Sequence, residues 1–438
     1  MPTVSVSLPE VPKEKEYEEY ISAYLQSSGY YIERNIVQRD VEEVLELDII
    51  LTDYVPADIG QVLVEIKSGK NWGFPDIFKV RGWMTYLGRH RALFIATVSK
   101  GRADVDGFYI KKSSEMSVDL KIVTKLEDTS IQLVDYLRGR TLEEIDISTW
   151  RFAYWIERKL IDRLVKCRRS VQGVSRYEAM FGYYDQLNNS VFFTSNILER
   201  IRQLFRNFQR NANLSAKVAS ELSTGAFDGD EIPKELFRST FFDCKLNDVA
   251  ISAYLEYKSR LTILKYVTDF LSIRQANPAD PRIADHLDFL GVKFSRFDFL
   301  PADFLDRMEC LGQHPHYRKY PVFWQWFLWF FGGFLLLDYK DEEYRMLSQR
   351  SGVPVDQIDQ AFAAMDILFP TNNGWFVDYP SSSIRLLKVF PVPFFGNGAD
   401  FRKKVYANPP DYHSLKLSGA HTLDDLIKWN NACVEFLK

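Results

Sequence analysis

A chain of 438 residues is long enough for two or three domains with sizeable cores. Its 55 basic residues against 59 acidic ones leave a formal net charge of −4, which excludes a strongly basic nucleic-acid coat. The four cysteines, at 167, 244, 310 and 433, show neither a CxxC pair nor metal-type spacing, and point to reduced core thiols of a cytoplasmic protein.

Residues 1–12 hold Pro2, Pro9 and Pro12 with few apolar anchors and read as a flexible lead-in, without the basic start and apolar core of a secretion signal. From Lys13 to Ser28 the spacing of Tyr17, Tyr20, Ile21, Tyr24 and Leu25 predicts a helix that stops at Gly29. Glu18 stands at the edge of its apolar stripe, inside the run KEKEYEEY, where a solvated charge is the plain alternative. Tyr30 to Arg39 reads as a first strand. Residues 44–67 then hold two more, VLELDIIL and QVLVEIK, joined by TDYVPADIGQ.

Alternation puts Glu65 and Lys67 on one face of the second of these strands, and Asp48 on one face of the first with Val44, Glu46 and Ile50. If the strands pair as a hairpin, Asp48, Glu65 and Lys67 converge. Two carboxylates held together repel, and a divalent cation with hard oxygen ligands relieves that repulsion. The neighbouring Lys is no ligand, but it suits an anionic substrate, and metal-assisted phosphodiester hydrolysis uses both. An ordinary hairpin with a charged, solvated face is the competing reading. The apolar Val44, Ile50 and Leu63 on that face speak against it.

After Lys67, SGKNWG is a turn, and Ile77, Val80, Met84 and Leu87 predict a helix over 74–87 with Arg81, one turn from Ile77 and Phe78, facing inward. RALFIATVS (91–99) and LKIVTK (120–125) read as strands, and a last helix is expected near Ser130 to Leu137. Between Lys67 and Lys112 ten Lys and Arg, among them Lys70, Lys79 and Arg81, face three Asp. This basic sector suits a phosphate backbone, or simply a solvated surface.

Asp48, then Glu65-Ile66-Lys67 after a hairpin, then a helix, resembles the active-site core of the PD-(D/E)XK nuclease superfamily, the restriction-endonuclease-like fold. The resemblance covers residues 13–140 and implies an α/β domain with a mixed central sheet flanked by helices. It implies a DNA-cleaving enzyme in which Asp48, Glu65 and the carbonyl of Ile66 hold Mg2+ or Mn2+. Lys67 would orient the nucleophile or offset charge in the transition state. By the same resemblance Glu18 adds a ligand or binds a second ion, and Arg81, with Lys79 behind it, lies near the scissile phosphate. Restriction or antiphage defence is the role this arrangement suggests, with repair or junction processing as the alternative. A nuclease fold kept as an inactive binding scaffold is the reading from another class.

Residues 141–340 read as a mainly α-helical region, with helices at 149–169, 175–187, 190–212 and 246–273 and a Gly- and Asp-rich loop at 223–233. It could carry a homodimer or protein-partner interface. His314-Pro315-His316 lacks a visible third ligand for a metal. The apolar run 322–337 is shorter than the ~20 residues that span a bilayer, so burial in protein is expected and no membrane partner. Asp341 to Val389, within a last segment 341–438, resembles a winged helix-turn-helix. Its second helix, 356–365, has no Lys or Arg, so protein contact is expected of it and not DNA contact. A final helix is expected near 423–437.

Overall fold

The computed structural model describes residues 10–39, 42–56, 59–170, 175–194, 196–206, 245–280, 283, 303–331, 333–336 and 339–369, and four short strands beyond them. The expected loop at 223–233, the final helix and the cysteines at 244 and 433 lie outside the described residues.

The N-terminal part is a five-stranded mixed sheet in the order β1-β2-β3-β4-β5. Helix α1 (Lys15–Ser27) precedes β1 (Tyr31–Arg39), β2 (Glu43–Asp53) and β3 (Gly60–Lys67), which pair antiparallel. Helix α2 (Phe74–Tyr86) leads to β4 (Ala92–Ala96), and α3 (Ala103–Glu115) leads to β5 (Val118–Ile122). These last strands run parallel to β3 and to each other. Interior β4, ALFIA, is buried at every position, as expected of a strand covered on both faces.

Helix α3 is absent from the sequence expectation, although two adjacent parallel strands require a crossover. The reason is physical. Only Ser113 of α3 is buried, so the helix shows no apolar stripe to detect. The helix expected near 130–137 is instead one turn, Thr129–Gln132, followed by a 3-10 turn, Val134–Tyr136, with Ile131 and Val134 exposed. At Gly29, where α1 ends, φ is +92°, and a Cβ would fall 2.8 Å from the Arg140 guanidinium.

Helix α1 packs on β1 and β2, and α2 on β3, β4 and β5. The core beneath α2 joins Ile50, Leu63 and Phe94 of the sheet to Trp72, Ile77, Val80, Trp83 and Met84. This compact unit comprises residues 8–151 and 188–193, so it runs past the boundary expected at 140, and the division falls within the helix Glu144–Ser170.

The other unit is largely helical. Its 32-residue helix Lys245–Ala276 is buried on every face over 254–272, half-buried Lys258 apart, and carries ion pairs inside, Arg260 with Glu256 at 3.0 Å and Lys265 with Asp269 at 2.8 Å. The helix expected over 190–212 breaks after Phe193 and resumes at 197–206. Residues 320–329 and 331 are buried as expected, in a helix Tyr320–Gln325 continued by a π turn, Trp326–Phe330. Among the described residues no helix is long and apolar enough to cross a membrane. Cys167 is buried, whereas Cys310 is exposed and is not the core thiol expected. His314 meets the Tyr320 hydroxyl at 3.0 Å.

Helix Lys340–Ser351, a left-handed turn at Gly352 and helix Ile358–Leu368 follow. Short strands β6 (Phe334–Leu336), β7 (Tyr379–Pro380) and β8 (Ile384–Leu386) form a sheet in the order β6-β8-β7. The sheet thus draws in a strand that precedes residue 341.

Candidate carboxylate site

Asp48 sits where the ladder is broken on both sides. Toward β1 the register passes from Arg34 opposite Ile49 to Ile36 opposite Leu47, and Asn35 between them has a φ of +53°. Asn tolerates that left-handed conformation better than most residues. Toward β3 the pairing ends at Ile49 opposite Val64. Beyond it the Ile66 N–H donates to Asp48 Oδ2 at 2.8 Å, so a side chain replaces the ladder carbonyl.

Glu65 follows one residue past that last pair, on the face of Leu63 that looks toward α2, and is only 4% exposed. Lys67 lies two residues on, with its Nζ 2.6 Å from Glu65 Oε1 and part of its side chain open to solvent. The hairpin therefore brings Asp48, Glu65 and Lys67 together.

Burial pushes the Asp48 carboxyl well above the usual carboxylate range, and the negative charges of Glu65 and then Glu18 push it further. The Ile66 N–H and the Lys67 ammonium oppose the rise. Burial works against the charge on Lys67, yet the bond to Glu65, with Asp48 and Asp76 beyond it, holds its pKa above the ordinary lysine value. Lys67 is therefore a fixed cation and not a base. Glu18, half-buried on α1, is raised by burial, while Arg34 and Lys15 moderate the shift.

The donor set suits a hard cation: two acidic side chains whose mutual repulsion already shows in Asp48, with the Ile66 carbonyl on the same strand. Among the described residues no three His, Cys, Asp or Glu side chains form one metal-binding group. The charge of Glu18 bears on Asp48.

The candidate phosphate contacts lie farther out. Lys70 is exposed in the turn after β3. Lys79 is exposed on α2, its Nζ 4.4 Å over the Trp83 ring. Arg81 does not face inward as expected. Ile77, Val80, Trp83 and Met84 take the buried face of α2, leaving Arg81 outside together with Phe78.

Three participants went unseen in the sequence. Asp76 accepts the Gly73 N–H at 2.9 Å, capping α2, and its charge reaches Lys67; an acid three residues after a Gly and next to a Pro is a readable helix start. Arg34, 6% exposed, bears on Glu18. Lys100 lies over the Trp72 ring at 4.3 Å and fixes the turn after β3 to the one after β4. Neither of these two has a pattern that marks it. No protein-family model, curated protein or solved structure matches the chain.

Proposed function

We propose that the chain is a metal-dependent nuclease of the PD-(D/E)XK kind, hydrolysing phosphodiester bonds in DNA, with restriction or antiphage defence as its setting. The observation that carries the reading is the convergence of Asp48, Glu65 and Lys67 at the point where β2 and β3 part, with an ammonium beside two carboxylates. Asp48, Glu65 and the Ile66 carbonyl would hold Mg2+ or Mn2+. Such an ion, when bound, polarises a phosphate and lowers the pKa of a bound water.

The chain's own groups do the rest. The Ile66 N–H fixes one Asp48 oxygen and thereby aims the other. Lys67 stays protonated and offsets negative charge that builds on a phosphate in the transition state, where a fixed charge needs no reorganisation. Glu18, whose charge bears on Asp48, would add a ligand or bind a second ion, and Lys70, Lys79 and Arg81 offer phosphate contacts along the strand.

Incubating the purified chain with plasmid, linear duplex, single strand and RNA in Mg2+ or Mn2+ tests the reading. Cleavage is expected with the wild type and a loss of at least a hundredfold in Glu65→Ala and Lys67→Ala, both still folded. Wild-type turnover in either variant would remove that residue from the site. A chain that cleaves nothing and gains no thermal stability in Mn2+ would be a binding scaffold instead.

A further inference from the structure

Helices α2 and α3 carry an aromatic surface that the carboxylate chemistry does not use. Phe74 stacks on Tyr109 at a centroid distance of 4.5 Å, meets Phe108 edge-on at 5.8 Å and lies 6.3 Å from Phe78. Phe74 and Tyr109 are packed against the core, and Tyr109 also touches buried Trp72, so the inner rings are held in place. The outer rings are uncovered: Phe78 is 61% and Phe108 52% exposed. Clustered exposed rings of this size mark an interaction surface more often than they occur idly.

The exposed charge on α2 and in the turn before it is basic, and α3 adds Lys111. Lys70, Lys79, Arg81 and Lys111 are exposed on these two helices and the turn before them. The acids of the stretch are engaged: Asp76 caps α2, Asp104 pairs with Arg102 at 2.6 Å, Asp106 accepts from the Ser99 hydroxyl and the Lys100 N–H, and Glu115 pairs with Lys112 at 2.8 Å. The charge of Asp76 is felt at Lys67, which sets the first turn of α2 beside the carboxylate site.

We propose that this surface is a stacking platform for unpaired bases of a nucleic-acid strand, with the exposed Lys and Arg holding its phosphates. The proposal rests on the nuclease reading of the neighbouring site and gives that site a single-stranded or locally opened substrate. A ring face accepts any base, whereas a closed duplex keeps its base faces stacked on one another. A bilayer surface would call for a continuous apolar helix face, and on α2 the outer positions interleave Phe78 with Lys79, Arg81 and Thr85.

Anisotropy of a dye-labelled oligothymidylate, measured on the full chain in EDTA, reads the platform apart from any cleavage. The single strand is expected to bind more tightly than a duplex of equal length. The Phe78→Ala/Phe108→Ala variant should lose about tenfold or more in affinity, with an unchanged unfolding midpoint because both rings are exposed. Tyr at both positions should restore binding, and Leu at both should not. Equal binding by the Ala variant, rescue by Leu or preference for duplex would overturn the platform. Ring-dependent sedimentation with phosphatidylserine vesicles, or ring-dependent dimerisation, without oligonucleotide binding would do the same. Cleavage without ring-dependent binding removes the platform and leaves the nuclease reading standing; ring-dependent binding without cleavage in Mg2+ or Mn2+ does the reverse.

Discussion

Asp48 combines a carboxyl that burial and neighbouring charge drive toward its neutral form with an N–H bond that favours the ionised one. Burial and repulsion win, so protonation is easier in the folded chain than in the unfolded. The sign of the linkage follows. The contribution of Asp48 to stability is fully present below the ordinary carboxylate pKa of about 4 and is lost as pH rises through its raised value. Asp48→Asn keeps an oxygen to accept the Ile66 N–H and removes the charge. In the metal-free protein at pH 8 it should therefore raise the unfolding midpoint, by about 2–4 °C if the penalty is about 1 kcal/mol. The gain should shrink as pH falls and vanish near pH 4. A variant less stable than wild type at every pH would show that the carboxylate is not strained. Asp48, Glu65 and Lys67 were legible in the sequence because alternation along two strands decides their facing. Arg34 was not, because a single polar residue in a strand says nothing about what lies across the sheet.

The same contrast governs whole elements. Strand β4 announces itself because all five residues are apolar and buried, whereas α3 covers the sheet with a polar surface and leaves no period to read. Phe78 misled in the opposite direction, since an apolar residue on the outer face of α2 drew Arg81 inward with it. Helix Ile358–Leu368 buries Ile358, Ala361, Phe362, Ala364, Met365 and Leu368, with Phe362 against Phe323, Trp324 and Phe327. Its outward carboxylate, Asp359, meets the Tyr344 hydroxyl and lies 3.6 Å from Lys340. A helix with this acidic outer face would repel phosphates that flank a groove. Replacing Gln357 and Gln360 by Ala in the full chain should leave duplex affinity within about twofold and its salt slope unchanged. A loss of tenfold or more would identify the helix as a base reader, since good bidentate amide contacts are worth about 1–3 kcal/mol each.

At the scale of the molecule the division into two compact units falls inside one helix, between Arg151 and Phe152. The carboxylate site and the aromatic helices α2 and α3 belong to the sheet unit, while the helical unit builds its own core around Trp324, Trp326 and the buried pairs of Lys245–Ala276. A ligand stabilises only the structure whose opening releases it, by about 2.7 kcal/mol at a hundred times its Kd. If Mn2+ binds at Asp48 and Glu65, amides of β2 and β3 should exchange roughly a hundredfold more slowly at that concentration, because their slowest exchange goes through opening of the sheet unit. Amides of 320–331 open with a separate core and should not change. Along Glu144–Ser170 the added protection should fade past the boundary. Hydrogen exchange followed by mass spectrometry, with Glu65→Ala as the metal-blind control, reads all three regions in one experiment. Equal protection of both units would mean that they open as one, and protection that survives Glu65→Ala would put the metal somewhere other than the hairpin.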